Sequence, residues 1–374
     1  MDAADVCVII DGVAIRAANN VSESYNALLH ELRCRGAVVV PAADFVQCTA
    51  STYAAIVWLE PALTPAALSP LVVRRVKALT DQRARRGAPQ LVMLVIADDV
   101  YLLRGAARVA QQLGDVAGVR VALWTMFPRE CYADADADES ASALRRFDHR
   151  VWPHVAAPVW FLDPEPGPQP APQPGPRPCI VMYGQRDAAR YPERAALAAA
   201  AQSGAVWCGD APDYAARGRV PPATMRDVAR AAGAVFVGGG ERHAPVAKHV
   251  EFAAAGVRVI YTDAATADAV ARTFGVRCAV LPECARGAEL LVRDAVLRSI
   301  SAAEDDVADT VAFVRAAHTP RVRVAVLLEW LRCHSSSSSL APSSSSSSWS
   351  ASASSSSSLP PAPAPAPARG RDAV

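Results

Sequence analysis

The sequence has no excess of either charge and no long apolar run. Its 374 residues include 38 basic and 37 acidic side chains, a balance that gives no bulk attraction to nucleic acid or to an anionic membrane. No apolar run reaches the roughly 18 to 20 residues that a membrane-spanning helix needs. The start, "MDAADVCVIIDG", has no basic segment before its apolar run, so we expect no secretory signal. These absences predict a cytoplasmic protein with no nucleic-acid partner and no membrane span.

The sequence also lacks the common motifs of metal, phosphate and hydrolytic sites. Its nine cysteines are scattered singly, without a C-x-x-C pair, so we expect reduced, mostly buried thiols and no zinc site or disulfide framework. No Walker loop, G-x-S-x-G elbow or H-E-x-x-H pattern is present, and ATPase and hydrolase functions therefore have no support. We predict no metal site and no cofactor.

Short apolar runs alternate with helical patterns from residue 5 to about residue 162. Strand-like runs such as "DVCVII", "YAAIVWL" and "QLVMLVI" are separated by patterns such as "LVVRRVKALTDQRARRG". Strands that are apolar throughout and separated by long helices indicate a parallel sheet covered on both faces. We therefore predict an α/β, doubly wound, Rossmann-like domain over residues 1–162.

A proline-rich segment separates this region from a second one of the same kind. "DPEPGPQPAPQPGPRP", residues 163–178, is rich in a residue that lacks the amide donor and fixes φ, which indicates a linker. Strand and helix patterns resume at "CIVMYG" and predict a second Rossmann-like domain over residues 179–334. The serine, proline and alanine tracts of residues 335–374 predict a disordered tail. Such tracts are typical of a GC-rich genome, for example that of a large DNA virus.

The segment "VFVGGGERHAPVAKHVEFAAAGVRVIYTD" contains the best candidate site. Ligands of parallel sheets bind beyond the carboxyl ends of strands, and Gly239 and Gly240 follow such a strand. They let a ligand approach the backbone, and the start of the next helix attracts phosphate. Lys248 and Glu251 share one face of that helix, where the lysine suits an anion and the carboxylate suits hydroxyl donors. A nucleotide sugar offers both groups; the alternative interpretation is an ordinary exposed helix pair.

The same segment resembles the nucleotide-sugar motif of GT-B glycosyltransferases, in particular the retaining family that includes many mannosyl- and glucosyltransferases. "KHVEFAAAGVRVIYTD" is similar to the second half of that motif, and "CIVMYGQRDAARYPER" resembles the family's strand, glycine and basic loop. The resemblance spans about residues 5–334, although only the C-terminal motif is specific. It implies a GT-B fold that holds a nucleotide sugar between its two domains and an acceptor on the N-terminal one.

The resemblance also implies roles for individual residues. Glu251 falls where the family binds the nucleotide ribose, and Lys248 matches a lysine of many members. Gly184 matches the glycine that ends the strand, and Arg190 matches the basic residue that meets the diphosphate. Arg186 is placed to add a second guanidinium to this phosphate clamp.

Departures from the family pattern affect the sugar end of the implied site. The family's first glutamate, which engages the donor sugar, falls at His243, and Glu241 lies two positions away as a substitute. The glycine pair of the first N-terminal loop is absent. His243 and Glu241 are thus the candidate catalytic residues. Two functions follow: a metal-independent transferase that passes a sugar to an unknown acceptor, or a catalytically inactive GT-B fold retained for binding or structure.

Overall fold

The computed structural model contains two parallel α/β sheets, one after the other along the chain. The following residues are described: 5–11, 23–48, 53–97, 103–126, 142, 144–152, 155–161, 180–182, 206–208, 223, 226–227, 229–230, 234–236, 247–261, 264–276, 278–280 and 304–336.

The N-terminal sheet has six strands in the order β2-β1-β3-β4-β5-β6. Every neighbouring pair in it is parallel. The strands are β1 (Val6–Ile9), β2 (Val38–Val40), β3 (Ala55–Leu59), β4 (Leu91–Ala97), β5 (Val119–Thr125) and β6 (Asp148–Val151).

Helices cover both faces of this sheet. They are α1 (Glu23–Cys34), α2 (Ala42–Gln47), α3 (Ser69–Arg85) and α4 (Leu103–Gly114). Successive strand side chains point to opposite faces, and in β1 Val6 and Val8 join one core cluster while Cys7 and Ile9 join another. The first cluster includes residues of α1, and the second includes residues of α2, α3 and α4. Apolar side chains on both faces explain why these strands are apolar throughout.

The C-terminal sheet repeats the same strand order on a smaller scale. Its strands are β7 (Ile180–Met182), β8 (Val206–Cys208), β9 (Ala234–Phe236), β10 (Arg258–Tyr261) and β11 (Ala279–Val280). They lie in the order β11-β10-β9-β7-β8 with all pairs parallel. The helices are α5 (Ala247–Ala254), α6 (Ala264–Phe274) and α7 (Glu304–Ala317). In both sheets the first strand lies between the second and the third, so the predicted tandem of Rossmann-like sheets is confirmed.

The last helix of the described residues, α8 (Pro320–Ser336), packs on the N-terminal sheet. Val324, Leu327 and Leu331 belong to the same core cluster as β1 and α1. Trp330 meets Trp124 of β5 edge to face, with ring centroids 5.0 Å apart. The sequence groups this helix with the residues of the second domain, whereas its apolar side chains complete the core of the first sheet. The predicted linker, 163–178, and all residues beyond Ser336 lie outside the described part of the chain.

Three compositional expectations concern membranes, metals and thiols. Within the described ranges no helix is both long enough and apolar enough to cross a bilayer. The same ranges contain no group of three or more His, Cys, Asp and Glu side chains arranged for a metal ion. Of the described cysteines Cys7 is buried, whereas Cys34 and Cys333 are exposed. Cys48 and Cys278 are partly buried. The expectation of buried thiols is therefore confirmed for Cys7 and wrong for Cys34 and Cys333.

Candidate functional site

Helix α5 carries the candidate site and is buried along almost its whole surface. Val250 and Phe252 are fully buried, and His249 stacks on Phe274 of α6 with ring centroids 6.3 Å apart. The helix ends where Gly256, at φ 75°, adopts a left-handed conformation. The amides of Gly256 and Val257 then donate to carbonyl oxygens of the last turn, at 3.0 Å each. This cap uses the conformational freedom of glycine to turn the chain directly into β10.

Glu251 and Lys248 form a pair on α5 that is largely shielded from solvent. Lys248 Nζ lies 3.6 Å from Glu251 Oε2, and their side chains are 22% and 2% exposed respectively. The alternative interpretation of these two residues as an exposed helix pair is therefore wrong. A buried carboxylate is costly unless it is paired and hydrogen-bonded, so the position of Glu251 needs partners beyond its own helix.

Such a partner comes from the N-terminal half. The Ser24 hydroxyl, in the first turn of α1, lies 3.0 Å from Glu251 Oε1 and 2.6 Å from the carbonyl oxygen of Val155. Ser24 is 1% exposed, as is Glu251. A carboxylate beside the first turn of a helix is also favoured by the positive end of the helix dipole. Ser24 is a site residue that sequence reasoning missed, because its partners lie 131 and 227 positions away along the chain.

Val155 belongs to the segment 155–161, here termed the crossing segment, which leads from the first sheet toward the second. Its Ala156 amide donates to the carbonyl oxygen of His318, at 2.9 Å, where the chain returns toward α8. The buried guanidinium of Arg226 donates to the carbonyl oxygen of Val159 at 2.7 Å. The outgoing and returning parts of the chain are thus bonded to each other beside the Ser24–Glu251 contact.

A second histidine is buried at this return point. His318 is 1% exposed, and its Nδ1 accepts a hydrogen bond from Arg323 Nη2 at 2.8 Å. Because guanidinium nitrogens only donate, Nδ1 of His318 is the acceptor in this contact. Burial lowers the pKa of Arg323 to about 10. This pair links the return point to the first turn of α8.

A cavity of about 460 Å³ lies between α1, the crossing segment and the start of α8. Its lining includes Ala27, His30, Pro158, Val159, Phe161 and Pro320. Neither Lys248 nor Glu251 lines it. This cavity is thus distinct from the candidate site on α5.

The strand order defines one switch point in each sheet, where ligands of open α/β folds bind. In the C-terminal sheet it lies between the paired strands β7 and β9. In the N-terminal sheet it lies between β1 and β3, and there Glu60 follows β3 with φ 51° and an exposure of 1%. Positive φ is uncommon outside glycine and frequently marks a functional position. Sequence reasoning missed Glu60, since nothing in "WLEPAL" indicates a left-handed residue.

The remaining predicted site residues lie outside the described part of the chain. Along the sequence, three of these seven residues follow β7 and four follow β9, and these two strands form the switch point. Their roles remain predictions. They are Gly184, Arg186, Arg190, Gly239, Gly240, Glu241 and His243.

In the comparisons with known proteins, the chain is similar only to solved structures. No known family and no curated protein matches the chain. A sucrose-phosphate synthase from Thermosynechococcus elongatus is 14% identical, covers 88% of this chain and 99% of its own, and gives a TM-score of 0.48. An α,α-trehalose-phosphate synthase (UDP-forming) from Burkholderia vietnamiensis is 14% identical over 74% of this chain and 80% of its own, with a TM-score of 0.43. Likeness at this level assigns no activity, substrate or site residue to this chain.

Proposed function

We propose that the protein binds a nucleotide sugar between its two α/β halves and transfers the sugar to an acceptor held by the N-terminal half. The observation that carries this proposal is the shielded Lys248–Glu251 pair on α5, which follows β9 at the switch point of the C-terminal sheet. Glu251 also meets Ser24 of the opposite half. A carboxylate acceptor beside a cation suits a ligand that carries both hydroxyl groups and phosphate.

In this proposal Glu251 accepts hydrogen bonds from the ribose hydroxyls and Lys248 faces the diphosphate. The predicted phosphate contacts of Arg186, Arg190 and the backbone at Gly239 and Gly240 complete the nucleotide site, with Gly184 allowing close approach. Negative charge develops on the leaving diphosphate during transfer, so fixed cations there lower the barrier. No metal is required by this arrangement.

The sugar and acceptor ends of the proposed site belong to other residues. His243 and Glu241 stand in the sequence where the donor sugar would be engaged. At the switch point of the N-terminal sheet, the buried and left-handed Glu60 is the best candidate for contact with acceptor hydroxyls. Glu60→Gln is then expected to reduce sugar transfer while leaving donor binding unchanged.

A second candidate function is a catalytically inactive GT-B protein retained for binding or structure. The observation that favours it is the internal use of Glu251, whose side chain is 2% exposed and already contacts Ser24 and Lys248. In that case the pair serves to hold the two halves together. Stabilisation by a nucleotide without turnover would indicate a binding protein.

A thermal-shift panel of UDP-glucose, GDP-mannose and ADP-glucose, followed by a donor-hydrolysis assay, tests the proposal. At least one donor is expected to raise the melting temperature and to be hydrolysed slowly. Glu251→Gln keeps the side-chain shape but removes the charge, and is expected to weaken binding about tenfold because hydrogen bonds to charged groups are stronger than neutral ones. Asp268→Asn, an exposed change on α6, is the matched control. Equal affinity of the two variants for the donor would rule out a role of Glu251 in donor binding.

A further inference from the structure

The Ser24 hydroxyl serves two acceptors with a single hydrogen. Its oxygen lies 2.6 Å from the Val155 carbonyl oxygen and 3.0 Å from Glu251 Oε1. A serine hydroxyl has one donor hydrogen, and the shorter distance belongs to the carbonyl. If Glu251 found another donor, Ser24 would therefore keep a hydrogen-bond partner of its own.

The same contact shields Glu251. The side chain of Glu251 is 2% exposed, and Oε1 already has a hydroxyl group at hydrogen-bond distance. Ser24 thus supplies to Glu251 the type of group that a ribose would supply. Because this side chain is buried, a ligand hydroxyl reaches the carboxylate only after groups that cover it, Ser24 among them, have moved aside.

We propose that Ser24 is an internal competitor for Glu251, an autoinhibitory contact that a ligand bearing neighbouring hydroxyl groups must displace. This inference rests on the proposed nucleotide-sugar site. Displacement is favourable for a ribose because its two hydroxyls replace one serine hydroxyl, while Ser24 retains the carbonyl of Val155. The contact joins the two halves, so its release removes one polar contact between α5 and α1.

This competition predicts a pair of changes in stability and affinity that a purely structural serine would not cause. Loss of the Ser24 hydroxyl removes its hydrogen bond to the Val155 carbonyl oxygen and its polar contact with Glu251, which lowers stability. The same loss raises the fraction of molecules with an accessible Glu251, and apparent affinity rises with the fraction that is competent to bind. Stability and affinity therefore change in opposite directions in Ser24→Ala. A structural serine would lower stability and leave affinity unchanged or weaker.

The experiment is a calorimetric titration of wild type and Ser24→Ala with UDP-glucose, GDP-mannose and ADP-glucose. Since a hydrogen bond contributes about 0.5 to 1.5 kcal/mol, Ser24→Ala is expected to bind the preferred donor about two- to tenfold more tightly, with a lower melting temperature. Thr80→Val is the matched control, because the buried Thr80 hydroxyl donates within its own helix, to the Val76 carbonyl oxygen at 2.6 Å. This control is expected to lose stability without a change in affinity. Equal or weaker binding by Ser24→Ala would overturn the inference.

A second measurement separates this inference from the proposed function. Amide hydrogen exchange without nucleotide is expected to be faster in α5 of Ser24→Ala than in α5 of Thr80→Val. If no variant binds any donor, the proposed function fails, and faster exchange in α5 still supports the shielding contact. Unchanged exchange in α5 overturns that contact whether or not nucleotide binds. Ser24→Cys, which replaces the hydroxyl with a larger thiol that is a weaker donor, gives a smaller change in the same direction and replaces Ser24→Ala if that variant does not fold.

Discussion

At the scale of single residues, burial decides what each chemical group can do. Glu251 and Glu60 are both 1% exposed and lie at the candidate sites of different halves. Cys7 of β1 is fully buried, and burial, with a smaller contribution from Cys48, raises the pKa of its thiol to about 12. Deprotonation of Cys7 is thus strongly disfavoured while the protein is folded.

The raised pKa of Cys7 predicts a loss of stability at alkaline pH. Below the ordinary thiol pKa, 9.0, the folded and unfolded states both hold the proton. Between pH 9 and pH 12 only the unfolded state releases it, so stability falls as pH rises through that window. At pH 10 this release lowers the free energy of unfolding by about 1 kcal/mol.

Urea unfolding under reducing conditions, at pH 7 and pH 10, measures this effect. Cys7→Ala is expected to be less stable than wild type at both values, because it leaves a cavity. Its additional loss between pH 7 and pH 10 is expected to be smaller than that of wild type by about 1 kcal/mol. An equal additional loss in both proteins would mean that other groups cause the alkaline effect.

At the scale of elements, glycines in left-handed conformations connect helices and strands. Gly87 lies just after the end of α3 and has φ 63°, and Gly118 directly precedes β5 and has φ 78°. A Cβ atom at Gly87 would meet no heavy atom within 4 Å, whereas one at Gly118 would lie 2.8 Å from the Thr80 methyl group. The first position therefore requires glycine for its backbone alone, and the second for backbone and space.

These two glycines predict different costs for the same substitution. Gly87→Ala is expected to destabilise by about 1 to 2 kcal/mol, the cost of a left-handed residue with a Cβ atom. Gly118→Ala is expected to cost more, since Thr80 is buried and cannot move aside freely. Urea unfolding of both variants gives the comparison. Equal costs would show that the contact with Thr80 relaxes without penalty.

At the scale of the whole molecule, the chain crosses from the first sheet to the second and returns. The returning helix α8 supplies Leu327, Trp330 and Leu331 to the core of the N-terminal sheet. The N-terminal core is therefore completed by residues more than 150 positions beyond its last strand, as β6 ends at Val151. The full stability of the first sheet therefore depends on α8.

This dependence predicts where a mutation in α8 acts. Leu331→Ala, at a fully buried position, is expected to cost about 2 to 5 kcal/mol. Amide exchange is expected to increase in β1, β4 and α1 of the N-terminal sheet, and less in α5 and α6. Leu328→Ala, at a partly buried neighbouring position, is the control and is expected to lower the free energy of unfolding less. An increase confined to the C-terminal helices would contradict the assignment of α8 to the first core.

Part of the fold follows from the sequence because its signals are local. The apolar runs predicted β1, β3, β4, β9 and β10, and the helical pattern near residue 70 predicted α3. The strand β6, "DHRV", gave no such signal, since it is a short, polar strand at the edge of the sheet and its side chains are mostly exposed. The helix α2 is too short for a helical period to be recognised.

Local patterns were enough to predict two tandem parallel sheets and the placement of Lys248 and Glu251 on one helix face, because strand periodicity and helix spacing depend on neighbours along the chain. Only the tertiary structure decided that Glu251 is buried, that Ser24 is its partner and that α8 returns to the first sheet. Those outcomes depend on contacts between residues far apart in sequence, such as the 227 positions between Ser24 and Glu251. No local pattern specifies which distant side chains fill the same space.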